Sequence, residues 1–379
     1  MFDYTTLRII WWFLLGLVLI GFAIMDGFDL GAVTLLPWVA KDDLEKRIVI
    51  NTVGPVWEGN QVWIILGGGA IFAAWPFLYA AAFSGFYLAM FITLAGFILR
   101  PVSFKYRSKL PNPTWRKTWD ILLTLSGIIP SLIFGVAVGN VLQGVPFHFD
   151  EMLRFYYTGS FFGLLNPFAL LCGLLSVLMF CMHGAVYLCS KTQEAIQSRT
   201  RVAAMLCAGF VICLFGTGGL WVQHFISGYA LTQQAITDGP SNPLHKQMII
   251  AAHQLFHNYS QFPFFKAAPV LGFAGALLTI LLCWKKYFRL AFITSACSIA
   301  GIITTVGVSL FPILLPSSSN PSQSLLIWDA SSSKGTLGLM LVVGIIFLPI
   351  IIAYTAWVYR IMKGPVTKAM FGNESNPMY

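Results

Sequence analysis

Runs of about twenty apolar residues recur along this chain, and each is long enough to carry an α-helix across a hydrocarbon layer of roughly 30 Å at about 1.5 Å per residue. Nine runs qualify, at 9–36, 57–76, 78–100, 119–141, 162–189, 202–226, 264–283, 289–312 and 336–361. Composition points the same way: 57% of the 379 residues are hydrophobic and 10% are charged, against about 45–50% and about 25% in soluble domains. A soluble core of this length cannot bury that much apolar surface, which excludes soluble enzymes, secreted disulfide domains and disordered chains. The expected fold is an all-α integral membrane protein with about nine transmembrane helices. It forms a single polytopic domain over 1–379, with a first helix bundle over 1–141, a second over 162–312 and a last, peripheral helix over 336–361. The run at 57–76 is the weakest, because Asn60 and Gln61 open it, Gly67, Gly68 and Gly69 thin it, and only Trp75-Pro76 divides it from the next.

The net charge of +9 is an orientation signal here, not a nucleic-acid footprint. With nine spans, 18 of the 23 Lys and Arg residues fall on one face, Lys368 among them. That arrangement sets the N-terminus on the periplasmic side and the C-terminus on the cytoplasmic side. Eight spans would put two basic loops on the wrong side. The first eight residues lack the basic segment of a secretory signal, so the first span is expected to be retained. The seven Cys lie mostly within spans and show no metal-binding spacing, and they read as packing residues. The longer outer segments, 142–161, 227–263 and 313–335, are expected to be ordered loops or caps with short helices.

Charge inside a span costs roughly 2.5–3.5 kcal/mol on insertion scales, so the intramembrane ionisable residues are functional candidates. Asp26 and Asp29 share one face of the first span by their three-residue spacing. Glu58 opens the second span, Arg100 closes the third and Asp120 opens the fourth, all toward the cytoplasmic half. Glu58, Asp26 and Asp29 suit a proton path or cation site, because that many acids cannot all stay charged and unpaired at low dielectric. Arg100 and Asp120 read as a supporting polar pair. The alternative for all five is helix capping or the seating of a subunit. Among the six His, only His183 is central in a span. His253 and His257 share a helical face by spacing, but no third metal ligand is near them. Haem ligation by this chain is not expected.

Several motifs then carry a resemblance. Trp11-Trp12, Asp26-Gly27-Phe28-Asp29-Leu30-Gly31, Trp57-Glu58-Gly59-Asn60-Gln61-Val62-Trp63 and Phe72-Ala73-Ala74-Trp75-Pro76 resemble subunit II of the cytochrome bd quinol oxidases. So do Ala80 to Tyr87, Arg100-Pro101, Gly139 to Pro146, Phe311-Pro312 and Trp328 to Ser332, and the likeness runs along the whole chain. The resemblance implies a haem-free subunit of a bacterial inner-membrane quinol oxidase that reduces dioxygen to water. It implies a partner, subunit I, holding two haems b and haem d, and it allows a small single-helix accessory subunit and a bound quinone. It implies that Glu58 feeds protons across the subunit boundary, that Asp26 and Asp29 stand beside that region, and that Trp63 lies near a lateral oxygen entrance. The rival reading is a proton- or cation-coupled secondary transporter, which would carry a matching broken helix in its second half.

Overall fold

The computed structural model describes residues 2–233, 236–367 and 370; Lys368 lies outside them. The first helix, α1 (Tyr4–Val39), has 36 residues. That is about 54 Å of helix, so its ends project beyond the hydrocarbon layer. A short polar helix, α2 (Asp43–Val53), follows, its first turn capped by the Asp42 carboxylate accepting from the Glu45 N–H. After it come α3 (Trp57–Asn60), α4 (Val62–Ala74), α5 (Pro76–Gly85), α6 (Tyr87–Tyr106) and α7 (Pro113–Gln143). The second half holds α8 (Pro167–Lys191), α9 (Glu194–Phe225), α10 (His257–Gln261), α11 (Ala267–Trp284), α12 (Phe288–Leu310) and α13 (Lys334–Ile361).

Among the described residues, eight helices are long and apolar enough to cross a membrane, and the count is nine if the pair Trp57–Ala74 and Pro76–Gly85, bent by 119° at its break, makes one span. The first arm runs antiparallel to α1, from the level of Asp29 back to its N-terminal end. Trp63 lies on Gly21 and Gly67 on Val18 and Leu19, and the Ala74 carbonyl accepts from the Ser332 N–H at 2.8 Å. Ser332 is also bonded by the Tyr4 hydroxyl at 2.6 Å, so this arm ends beside the start of α1.

The third span therefore starts at Tyr87 and not at residue 78. Residues 76–85 fold away because Pro76 supplies no N–H and forces the residue before it out of the helical region, Trp75 standing at φ −136°, ψ 74°.

Helices α1, α4, α6 and α7 pack together, as do α8, α9, α11 and α12, and α1 and α7 both lie against α8. The tightest seam is α1 on α8. A Cβ added at Gly31 would stand 1.8 Å from the Phe180 carbonyl oxygen, and one at Gly184 would stand 2.5 Å from the Ala32 nitrogen. The motif Asp26-Gly27-Phe28-Asp29-Leu30-Gly31 thus has two faces. Its glycines, four residues apart, admit α8, and its acids look the other way. The last helix, α13, leans on α1 and α4 and is otherwise largely bare.

The outer segments hold the short helices expected of them, at Gln254–Phe256, His257–Gln261 and Pro321–Gln323, and strand pairs that were not expected. Three antiparallel hairpins form, β1 (Phe147–Phe149) with β2 (Phe155–Tyr157), β3 (Gly228–Leu231) with β4 (Met248–Ala251), and β5 (Ile313–Leu315) with β6 (Leu325–Leu326). Phe147, Phe149, Tyr229, Met248, Ile313 and Leu315 of these strands are buried in one apolar cluster with Leu7, Trp11, Ala74 and Trp75 of the helix ends. Arg8, wholly buried, ties α1 into this layer by donating to the carbonyls of Thr237 at 2.6 Å and Gly239 at 3.0 Å and to the Ser331 hydroxyl at 2.7 Å. Nearby, Lys246 and Asp329 pair at 2.6 Å. Burial pushes Asp329 up and Lys246 down from their ordinary values, against their mutual attraction.

Candidate functional site: a buried carboxylate cluster

The bends and seams described above bring three helices around the acids of α1. From α6, Arg100 donates through both terminal nitrogens to Asp26, at 2.6 and 3.1 Å. Both side chains are 0% exposed, and this paired, forked geometry is the one in which an ion pair best repays its desolvation. From the α3–α4 junction, the Asn60 amide donates to one oxygen of Asp29 at 2.7 Å. The other oxygen, Oδ1, is buried and has no hydrogen-bond partner among the described residues. The Tyr359 hydroxyl, from the end of α13, donates to the Asn60 amide oxygen at 2.9 Å. Two carboxylates, one guanidinium, one amide and one phenol thus meet at the level where α4 begins.

The structure separates some residues that their sequence positions grouped. Arg100 and Asp120 are not a pair, because Arg100 is taken by Asp26. Asp120 instead accepts from Arg107 at 2.5 Å and from Lys46 at 3.0 Å. Arg107 also reaches Asp43, which Arg116 holds from the other side. This second network belongs to the end of the bundle where α2 lies. The same end carries Glu45 paired with Arg199. Burial raises the Glu45 carboxyl, but the Arg199 bond and the Lys41 and Asp42 backbone N–H groups outweigh it and hold the acid below its ordinary value.

Glu58 does not join the buried acids. It is exposed on α3, while Asn60, two residues on, is 1% exposed and faces inward. Trp63 is buried, its ring laid on Gly21, and its indole N–H has no partner among the described residues. His183 uses both ring nitrogens, with the Ser295 hydroxyl at 2.7 Å and the Ile24 carbonyl at 3.1 Å, and stacks on Phe292 with 4.4 Å between ring centroids. His253 and His257 do not share a helical face. His253 takes a left-handed conformation at φ 58°, and a 3₁₀ turn separates it from the start of α10. Among the described residues no group of three His, Cys, Asp or Glu could hold a metal ion.

Asn60 and Tyr359 were not singled out by the sequence reading. Asn60 sits in the Trp57 to Trp63 motif, and its amide next to intramembrane acids was the available signal. Nothing in the sequence marks Tyr359, 299 residues away.

Known proteins share this architecture and sequence. The family described as cytochrome bd terminal oxidase subunit II matches residues 7–362. The chain is 46% identical over its full length, and over the full length of each relative, to the probable cytochrome oxidase subunit 2 of Haemophilus influenzae and to the cytochrome bd-I ubiquinol oxidase subunit 2 of Escherichia coli K12. The cytochrome bd ubiquinol oxidase subunit 2 of Bacillus subtilis is 26% identical over 362 residues, 96% of this chain and 97% of the relative. A chain of the bd oxidase from Geobacillus thermodenitrificans has the same fold, with a TM-score of 0.65 at 18% identity, covering 97% of this chain and 100% of that one. The transporter alternative finds no support in these likenesses, and among the described residues the bent span of the first half has no counterpart in the second. On its full-length likeness to these subunits, the chain belongs to the cytochrome bd terminal oxidase subunit II family.

Proposed function

We propose that this multi-pass membrane protein is the haem-free second subunit of a bacterial inner-membrane oxidase that passes quinol electrons to dioxygen and forms water. In this reading the N-terminus is periplasmic and the C-terminus cytoplasmic. The partner, subunit I, holds two haems b, haem d and the quinol-oxidising loop, and a small accessory subunit and a bound quinone belong to the whole complex. The family supports a partner of this kind. The engagement of both His183 nitrogens within the protein fits a chain that leaves haem ligation to that partner.

The chemical task assigned to this chain is proton handling, and one observation carries it: Asp29 is wholly buried and keeps an oxygen without a hydrogen-bond partner among the described residues, beside an Asp26 whose charge Arg100 already matches. Two carboxylates facing one guanidinium leave an excess negative charge at a depth where such charge is expensive. Binding a proton at Asp29 removes that excess and releasing the proton restores it, while Asp26 and Arg100 hold the surrounding field constant.

Glu58 takes the outward position in this path. An exposed carboxylate facing lipid is costly, so its place is against the partner. Further along the same arm a Cβ built at Gly68 or Gly69 meets nothing within 4 Å, which leaves room for another helix to approach closely. Trp63, an apolar surface with an unbonded indole N–H, serves as a wall of a dioxygen entrance. The test uses the assembled complex: Glu58→Gln slows oxygen consumption while the haem spectra stay intact. Full turnover with normal assembly removes Glu58 from the path.

A further inference from the structure

The route by which a proton reaches Asp29 is a separate question, and it rests on the proton-handling reading above. On the α13 side, Asn60 and Tyr359 lead from Asp29 to a cleft at the protein surface. Asn60 donates to Asp29, so its amide oxygen must face the other way, and there it accepts from the Tyr359 hydroxyl. Next to Asn60 and Tyr359 lies a cleft between α3 and the end of α13, walled by Pro55, Gly59, Tyr354 and Val358. Its volume of about 30 Å³ holds about two water molecules. Pro55 and Tyr354 at its mouth are exposed.

The hydrogen bonds from Tyr359 to Asn60 to Asp29 form a chain, yet that chain cannot pass a proton. A carboxamide N–H does not give up its proton to a carboxylate, because the product would be an amide anion or an imidic acid. As it stands the arrangement keeps cleft water away from Asp29 and fixes the amide in one of its two orientations. We infer that Tyr359 is a positioning residue that latches Asn60 over Asp29, and that protons reach Asp29 from the α3–α13 cleft when this latch opens. Helix α13 is suited to such a motion, since it packs mainly on α1 and α4 and leaves most of its surface bare. When the Tyr359–Asn60 bond breaks, the amide swings aside and a water of the cleft contacts the free oxygen of Asp29. A proton moves from hydronium to the carboxylate and later leaves the same group, with no change of redox state.

Infrared difference spectroscopy of the assembled complex tests the latch by following the carboxyl band that is lost in Asp29→Asn and the rate at which it shifts when water is replaced by deuterium oxide. Tyr359→Phe, which keeps the ring and removes one hydrogen bond, is expected to speed that exchange about five- to tenfold. Tyr354→Phe, the same chemical change at the cleft mouth, is expected to leave the rate at the wild-type value, and haem spectra report intact assembly in both. Equal exchange in wild type and Tyr359→Phe, or equal acceleration in both variants, overturns the latch while leaving the role of Asp29 standing. If Asp29→Asn removes no carboxyl band, the proton-handling reading fails and the latch fails with it.

Discussion

Arg100 and Asp26 meet through two parallel hydrogen bonds between α6 and α1, with neither side chain reaching solvent. The bond lies 74 residues apart in sequence and fastens the third span of the bundle to the first. Removing either partner alone strands a charge where it cannot be solvated, at a cost of about 3–5 kcal/mol. Asp26→Leu or Arg100→Met alone is therefore expected to lower the yield and the thermal unfolding midpoint of the complex sharply. The combined change to Leu and Met, which removes both charges, is expected to recover most of that stability without recovering oxygen turnover. A double variant no more stable than the singles counts against an isolated ion pair.

The glycine face of the same motif makes a separate prediction. Gly31→Ala drives a methyl group into the backbone of α8 at Phe180 and is expected to destabilise the protein by about 1–3 kcal/mol or more. Gly67→Ala, whose Cβ meets Val18 and Leu19 at 3.7 and 3.8 Å, is an ordinary contact and is expected to be tolerated. Unfolding midpoints of the two variants side by side distinguish the seams.

Glu45 supplies a pH dependence with a definite sign. Its folded carboxyl titrates below its ordinary value, so the Arg199 pair adds stability that is fully present above the ordinary carboxylate range. That stability is lost as pH falls through the lowered folded value. The difference in unfolding midpoint between wild type and Glu45→Gln is expected to be constant near neutrality and to vanish in acid. A difference that persists unchanged at low pH contradicts this assignment.

The spans were legible because a membrane imposes one demand on every crossing helix, about twenty apolar residues, and local sequence alone meets it. Asp26 and Asp29 were legible for the complementary reason, since charge in such a helix is conspicuous. What the chain does after Trp75 was not. Pro76 marks a break, but the direction of the next helix depends on what packs against it. Arg107 and Lys46 looked like orientation charges until the fold brought them to Asp120. The hairpins were hidden because each strand is only two to four residues long, too short for alternation to stand out. Asn60 and Tyr359 are ordinary residues whose importance is entirely one of position.

The most direct test of the account is the turnover of the assembled complex carrying Asp29→Asn. The substitution keeps the shape of the side chain and removes its ability to bind and release a proton, leaving Asp26 and Arg100 in place. Oxygen consumption with excess quinol is expected to fall by about tenfold or more, with haem spectra and assembly unchanged. Turnover and proton uptake equal to wild type in a fully assembled complex would contradict the claim that this buried carboxylate handles protons.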